Sequence, residues 1–282
     1  MNLNIAGAFT FDKKKLLIIF TKLKLLKKFN VKVYDGPNNC KWNGGRINRN
    51  INIDLSDIEF YNKFKIPVSF TFSNGVIDLK DNVGLELLEL LDQSSKKYKI
   101  QNEITLINEE LRLFLKDNYN FNLKYSITGH DLEAYPNSLT QQKYFEYYSN
   151  LETKYDLIVP KMEHIFQDWF LKLNLEKYEI MVNDTCKPNC EFYYEHFKEI
   201  SKVNSNGLNS KDIVLKIKEV EECWLSNFNP DNCLTSCKTG MDLDNKLITK
   251  AKSLGYINFK ISGRENKLNE LEHDISKFNE IK

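Results

Sequence analysis

Apolar positions along this chain follow two periods in turn. Short runs rich in β-branched and aromatic residues end in polar or glycine-containing turns. Between them lie longer stretches in which apolar residues recur every three or four positions. The short runs predict strands at 3–9 (LNIAGAF), 31–36 (VKVYDG), 66–74 (IPVSFTFSN), 97–103 (KYKIQNE), 122–129 (NLKYSITG), 155–161 (YDLIVPK), 178–184 (YEIMVND) and 256–263 (YINFKISG). The longer period predicts a helix over 13–29, with Asp12 as N-cap and Leu16, Ile19, Leu23 and Leu26 on one face. It predicts further helices over 84–95, 105–118, 138–154 and 163–174, and a closing helix over 265–282 with Leu268, Leu271, Ile275 and Phe278 on one face. Strands alternating with helices at this length predict an α/β fold, a (β/α)8 TIM-like barrel spanning 1–282 as a single domain. An open doubly wound sheet is the alternative that periodicity does not separate from it.

The seventh connection breaks the rhythm. About seventy residues separate the last two predicted strands, where a few are usual, which makes 185–255 a cysteine-bearing insertion. It leaves the C-terminal end of a strand, the side on which barrel enzymes carry their chemistry. Five of the six cysteines fall within it: Cys186, Cys190, Cys223, Cys233 and Cys237. CKPNC (186–190) and CLTSC (233–237) share a C-x3-C spacing and stand beside Pro188, Asn189, Pro230 and Asn232. Those polar, loop-like surroundings suit metal ligands better than small core hydrophobes. Four thiolates satisfy either zinc or an iron–sulfur cluster, and the spacing matches neither a zinc knuckle nor the common ferredoxin run.

Composition and charge narrow the setting. Hydrophobic residues make up 41% of the chain and support a buried core, while 40 basic and 39 acidic residues argue against a protein that coats nucleic acid. The start, MNLNIAGAFTF, has no basic-then-apolar leader pattern, and the apolar stretch 16–26 is interrupted by Lys22 and Lys24 and too short to span a bilayer. A cytoplasmic location without membrane insertion is therefore expected. In that reducing setting clustered cysteines bind metals or react more often than they form disulfides.

Other candidates cluster at strand ends. His196 follows Cys190 by six residues as a ligand or proton carrier, and His130 lies just past a strand end. His164 and His273 look structural or exposed. Asn74, Glu103, Ser126, Lys161 and Asn183 would converge on a barrel mouth, and Lys260 with Arg264 suits an anionic group such as a carboxylate or phosphate. The chain has no Walker A loop, no strand-to-helix G-x-G-x-x-G, no H-E-x-x-H and no G-x-S-x-G, which disfavours nucleotide hydrolysis, dinucleotide binding, zincin chemistry and serine hydrolysis.

The order of these pieces resembles the collagenase-like U32 peptidase family and its iron–sulfur hydroxylase relatives. VKVYDGPNNCKWNGGR (31–46) fills the place of a second strand and its arginine-bearing loop, with Tyr34, Gly36 and Arg46 matching. MVNDTCKPNC (181–190) and DNCLTSC (231–237) are similar to the family's cysteine segments, and LGYINFKISGR (254–264) echoes its closing strand. The resemblance implies a (β/α)8 barrel and a [4Fe–4S] cluster held by Cys186, Cys190, Cys233 and Cys237, with Cys40 and Cys223 in reserve. It also implies hydroxylation of an RNA base or of a small aromatic ring; Lys260, Arg264 and His196 are then the candidates for the reacting centre. Arg46, Asn74, Glu103, His130 and Lys161 would then contact substrate. The first cysteine pair is more closely spaced than in peptidase-like members, and Ser262 stands where glutamate is usual. A zinc-binding barrel for base binding or exchange, and a non-catalytic partner subunit with a structural metal, are the alternatives. Peptidase activity has the least support.

Overall fold

Each strand forms where polar and apolar residues alternate with a period of two. The computed structural model describes residues 1–37, 40–44, 52–134, 140–183, 197–198, 201–202, 204–205, 245–263 and 267–281. Its strands are β1 (Asn2–Ala6), β2 (Asn30–Asp35), β3 (Val68–Phe72), β4 (Glu103–Leu106), β5 (Asn122–Tyr125), β6 (Leu157–Ile158), β7 (Glu179–Met181) and β8 (Asn258–Ile261). They form one eight-stranded parallel sheet in the order β6-β5-β4-β3-β2-β1-β8-β7. A parallel bridge between Ile158 and Tyr178 joins its two ends. The result is a nearly closed (β/α)8 barrel, as expected, and not an open doubly wound sheet.

Helices pack on the outside: α1 (Lys13–Lys22), α2 (Leu25–Lys28), α3 (Leu55–Lys63), α4 (Asn82–Tyr98), α5 (Glu109–Asn118), α6 (Ile127–Ala134), α7 (Gln141–Lys154), α8 (Asn245–Ser253) and α9 (Leu268–Glu280). Leu3, Ile5, Val33, Phe70, Phe72, Ile104, Leu106, Ile180, Phe259 and Ile261 are buried in the core that these helices share with the strands. Each such side chain contributes about 1.5–3 kcal/mol when fully removed from water. Asp12 caps α1 through the backbone N–H groups of Lys14 and Lys15, as expected. Lys24, in the left-handed region at φ 54°, then splits the predicted 13–29 helix into α1 and α2.

Three expected elements are corrected. The strand expected at 97–103 begins at Glu103, because α4 runs on through Tyr98 and ends at Lys99, which has φ 51° and donates its N–H to Ser95 O. The helix expected from 105 accordingly starts at Glu109, where Asn108 caps it. The helix expected over 163–174 consists of turns and a 3-10 turn at Phe170–Lys172. Here aromatic packing overrides the helical period: Phe170 meets Tyr178 at 4.7 Å and Tyr148 at 4.9 Å between ring centroids, closing the barrel between β6 and β7. Of the insertion expected at 185–255, the described part includes α8, the helix that precedes β8.

Candidate functional site

The strand residues opposite the apolar set face the barrel axis, and they are polar. Contacts between strands that are not neighbours establish this. Lys32 Nζ on β2 reaches Glu103 Oε2 on β4 at 2.8 Å, and Lys124 Nζ on β5 reaches both oxygens of Glu179 on β7 at 2.8 Å. Lys124 also lies 2.5 Å from Glu103 Oε1, and the Asn4 amide on β1 donates to Glu179 Oε1 at 3.1 Å. Two lysines and two glutamates therefore neutralise one another in the middle of the lumen, with Lys124 and Glu103 fully buried. Burial alone would raise the Glu103 carboxyl, but Lys124 and Lys32 beside it hold it down at about 2. Burial would likewise lower the Lys32 ammonium, and Glu103 raises it. Glu103 was expected at a strand's C-terminal end. It is instead the first residue of β4, part of this internal network.

Toward the C-terminal mouth the lining changes. Tyr34 pairs in register with Ala6, whose small side chain leaves room for the ring to lie across β1, and its hydroxyl donates to Ile261 O at 3.3 Å. Lys260, 6% exposed, sets its Nζ 4.2 Å from the centre of that ring. This matches the inward orientation expected for Lys260. On β3, Ser69 and Thr105 share a hydrogen bond at 3.3 Å, and Thr71 follows Ser69 on the same face. Asp35 turns away from the lumen. One of its oxygens accepts from the backbone of Phe9 and Thr10 and from the Thr10 hydroxyl, which fixes the loop after β1.

The rim is built by loops drawn tightly together. A Cβ on Gly44 would stand 2.0 Å from Ser73 O, so only glycine lets the loop after β2 approach the end of β3. Asn74, fully buried, donates through Nδ2 to Lys41 O at 2.6 Å, Ser205 Oγ at 3.1 Å and Ser201 O at 3.2 Å. The Asn204 amide donates to Asn43 O at 2.9 Å. Asn74 thus fastens Ser201 and Ser205, part of the cysteine-bearing connection, to the mouth. On the opposite side Asn183 and Ser262 are tied by the Ser262 N–H donating to Asn183 Oδ1 at 2.7 Å and the Ser262 hydroxyl donating to Asn183 O at 2.5 Å. The serine that replaces the expected glutamate has this structural partner.

His130 and Lys161 lie beyond β5 and β6. His130, 3% exposed, shares a hydrogen bond from Nε2 with Val159 O at 2.8 Å and packs between Tyr125, Tyr147 and Tyr148. Burial pushes its imidazole down to about 3, so it is neutral at pH 7. Burial likewise takes His164 down to about 4, beside the Tyr148 hydroxyl at 3.0 Å. Lys161 is half-buried, 3.9 Å from Glu163. Ser126 accepts from Thr128 and starts α6.

Arg46, Arg264, His196 and the cysteines Cys186, Cys190, Cys223, Cys233 and Cys237 lie outside the described residues. Cys40 is described: it is buried in the core, and burial pushes its thiol up to about 12. Among the described residues no cluster of three or more His, Cys, Asp or Glu side chains is arranged to hold a metal ion. Lys32, Thr71, Ser73, Lys124 and Glu179 were not anticipated. Their signal was the alternation itself, in N-L-N, V-K-V, S-F-T, E-I-T and L-K-Y.

No helix among the described residues is long and apolar enough to cross a membrane. No protein-family model matches the sequence, and no curated protein matches it. Among solved structures, the chain is similar to the U32 peptidase Mk0906, at 10% identity and a TM-score of 0.46 over 74% of this chain and 79% of that one. At that distance the likeness carries no argument about activity, and the barrel assignment rests on the strand pairing itself.

Proposed function

We propose that the chain is an iron–sulfur barrel enzyme that modifies a nucleobase or a small aromatic ring at the C-terminal mouth of its lumen, by hydroxylation. The observation that supports this reading is the attachment of Ser201, Asn204 and Ser205, which lie between the two C-x3-C pairs in sequence, to Asn74 and Asn43 at the end of the barrel where Lys260 and Tyr34 stand. The donor set suits a cluster: Cys186, Cys190, Cys233 and Cys237 are four thiols in one connection. Those four would hold the cluster, which would transfer electrons between the substrate and an external redox partner when bound. Lys260, with Arg46 and Arg264 from the adjoining loops, would orient an anionic group of the substrate. The rings around the mouth would exclude water from it.

Purification without oxygen tests the cofactor. Brown protein with several irons per chain and broad absorption near ~400 nm supports the reading. Colourless protein with one tightly bound zinc replaces it with a zinc barrel. Loss of the iron in a variant with all four cysteines changed to alanine, and its retention in Cys40→Ser, checks the ligand set. Comparing nucleosides and quinones by mass spectrometry with and without the gene tests the reaction, and unchanged profiles would favour a partner subunit.

A further inference from the structure

Residues 13–28 contain seven lysines and no acidic residue, in a chain whose 40 basic and 39 acidic residues otherwise balance. They form α1 and α2, joined through Lys24. Leu16, Ile19 and Phe20 bury one side of α1, and Leu25 does the same for α2. The exposed residues of α1 are Lys14, Lys15, Ile18, Thr21 and Lys22. At 3.6 residues per turn they span an arc of about 120°, with Ile18 at its centre. Ile18 is 63% exposed, more than any other large apolar side chain among the described residues. Beside it lies an open groove of about 510 Å³, floored by Leu17 and by Phe60 of α3 and rimmed by Lys14 and Lys22. α2 adds an exposed Leu26 and the exposed Lys27 and Lys28.

Neighbouring acids leave most of this charge unbalanced. Asp57 takes Lys13 and Glu272 takes Lys22, while Asp12 accepts from the backbone N–H groups that start α1. Among the described residues Lys14, Lys15, Lys24 and Lys27 form no ion pair. An apolar tip ringed by lysines suits an anionic bilayer. The isoleucine enters the headgroup boundary, the lysine stems lie along it, and their ammonium groups meet lipid phosphates and carboxylates. Other polyanions fit less of the surface. An acidic peptide lying in the groove would meet the two lysines that rim it and leave the other exposed ones outside. A nucleic acid would use the charge and not Ile18.

We propose that the outer face of α1, with α2, is a docking surface for an anionic lipid bilayer. The contact is with the membrane surface: no helix among the described residues is long and apolar enough to cross it. The inference is independent of the proposed reaction and needs no cluster.

The test is sedimentation of the full-length protein with phosphatidylcholine vesicles, with and without phosphatidylserine, at low and high salt. Binding is expected with phosphatidylserine alone and is expected to weaken as salt rises. A lysine beside such a surface contributes about fivefold in affinity, so Lys14→Gln combined with Lys15→Gln should weaken binding at least ~tenfold. Ile18→Ser should weaken it about fivefold through lost insertion. All three positions are exposed, so Tm should not fall. Lys116→Gln combined with Lys143→Gln, at exposed positions of α5 and α7, should bind like wild type. The proposal is overturned if phosphatidylserine makes no difference, if the α1 variants bind like wild type, or if the α5 and α7 variant is weakened equally. Full binding by Ile18→Ser alone also overturns it, since charge without insertion would then hold the protein. Tighter binding of polyglutamate or of an RNA oligonucleotide through the same lysines overturns it in favour of that partner.

Discussion

Replacing Lys124 with methionine tests whether charges organise the interior of this barrel. Methionine keeps the length of the side chain and removes the ammonium, which lies 2.5 Å from Glu103 and 2.8 Å from Glu179 with no exposed surface. Glu179 is then left facing the Asn4 amide, and Glu103 facing Lys32. Removing one partner of a buried pair costs about 3–5 kcal/mol. Because Lys124 serves two carboxylates, the expected loss at pH 7 lies at the upper end. The direction agrees with the Glu103 carboxyl, which Lys124 and Lys32 together hold at about 2 against burial. The sign of the pH dependence follows. A depressed folded pKa contributes stability that is fully present above pH 4.5 and is lost as pH falls from there through about 2. In the Lys124→Met protein the buried Glu103 carboxyl rises and takes up its proton sooner, so the deficit relative to wild type shrinks as pH falls toward 4.5. Urea titrations followed by tryptophan fluorescence at pH 7 and pH 4.5 measure both quantities. A deficit under about 1 kcal/mol at pH 7, the range of exposed pairs, or one equal at both pH values, refutes the reasoning.

Gly84→Ala sets two effects against each other. Alanine improves helix propensity by up to about 1 kcal/mol, but its Cβ would stand 2.5 Å from the Trp42 ring. Overpacking of that kind costs about 1–3 kcal/mol, so Tm should fall, and a rise would show that the Trp42 contact is slack. Asn74→Ala should speed tryptic cleavage between 184 and 244 while far-ultraviolet circular dichroism stays unchanged, because three hydrogen bonds holding the rim are lost; equal cleavage rates would remove Asn74 as an anchor. His130 and His164 are depressed by burial to about 3 and about 4 from 6.5. Their stabilising contribution is present above pH 6.5 and lost as pH falls toward 4, each by up to about 1.4 kcal/mol per pH unit. His164→Phe should roughly halve that slope between pH 6.5 and 5 in denaturant titrations, and an unaltered slope would contradict it.

The barrel was legible because one face of each strand and helix is apolar, and local spacing reports that directly. α9 is the clearest case, with Leu271, Ile275 and Phe278 buried at the expected positions. β4 was misplaced because KYKI also alternates; the end of α4 is set by its packing and by Lys99 in the left-handed region. The polar lumen was present as alternation but read as polarity at strand ends. A lining exists only once the sheet closes: Lys32 meets a glutamate 71 residues away and Lys124 one 55 residues away, and neither distance leaves a local trace. His130 follows a strand as expected, yet three tyrosines cover its ring. The residues that carry most of the proposed chemistry, Cys186, Cys190, Cys233 and Cys237, lie outside the described residues.

The charged and hydroxylated lumen also bears on how stability varies with temperature. Unfolding raises heat capacity by about 0.45 cal/K/mol for each Å² of apolar surface exposed and lowers it by about 0.26 for each Å² of polar surface. A barrel filled with leucine and valine would release mainly the first kind from its centre. This one releases Asn4, Lys32, Ser69, Glu103, Lys124 and Glu179. Its heat-capacity increment per residue should therefore lie below the usual ~12–15 cal/mol/K. The stability curve is correspondingly flatter, and the protein loses less of its stability on cooling than a barrel with an apolar centre.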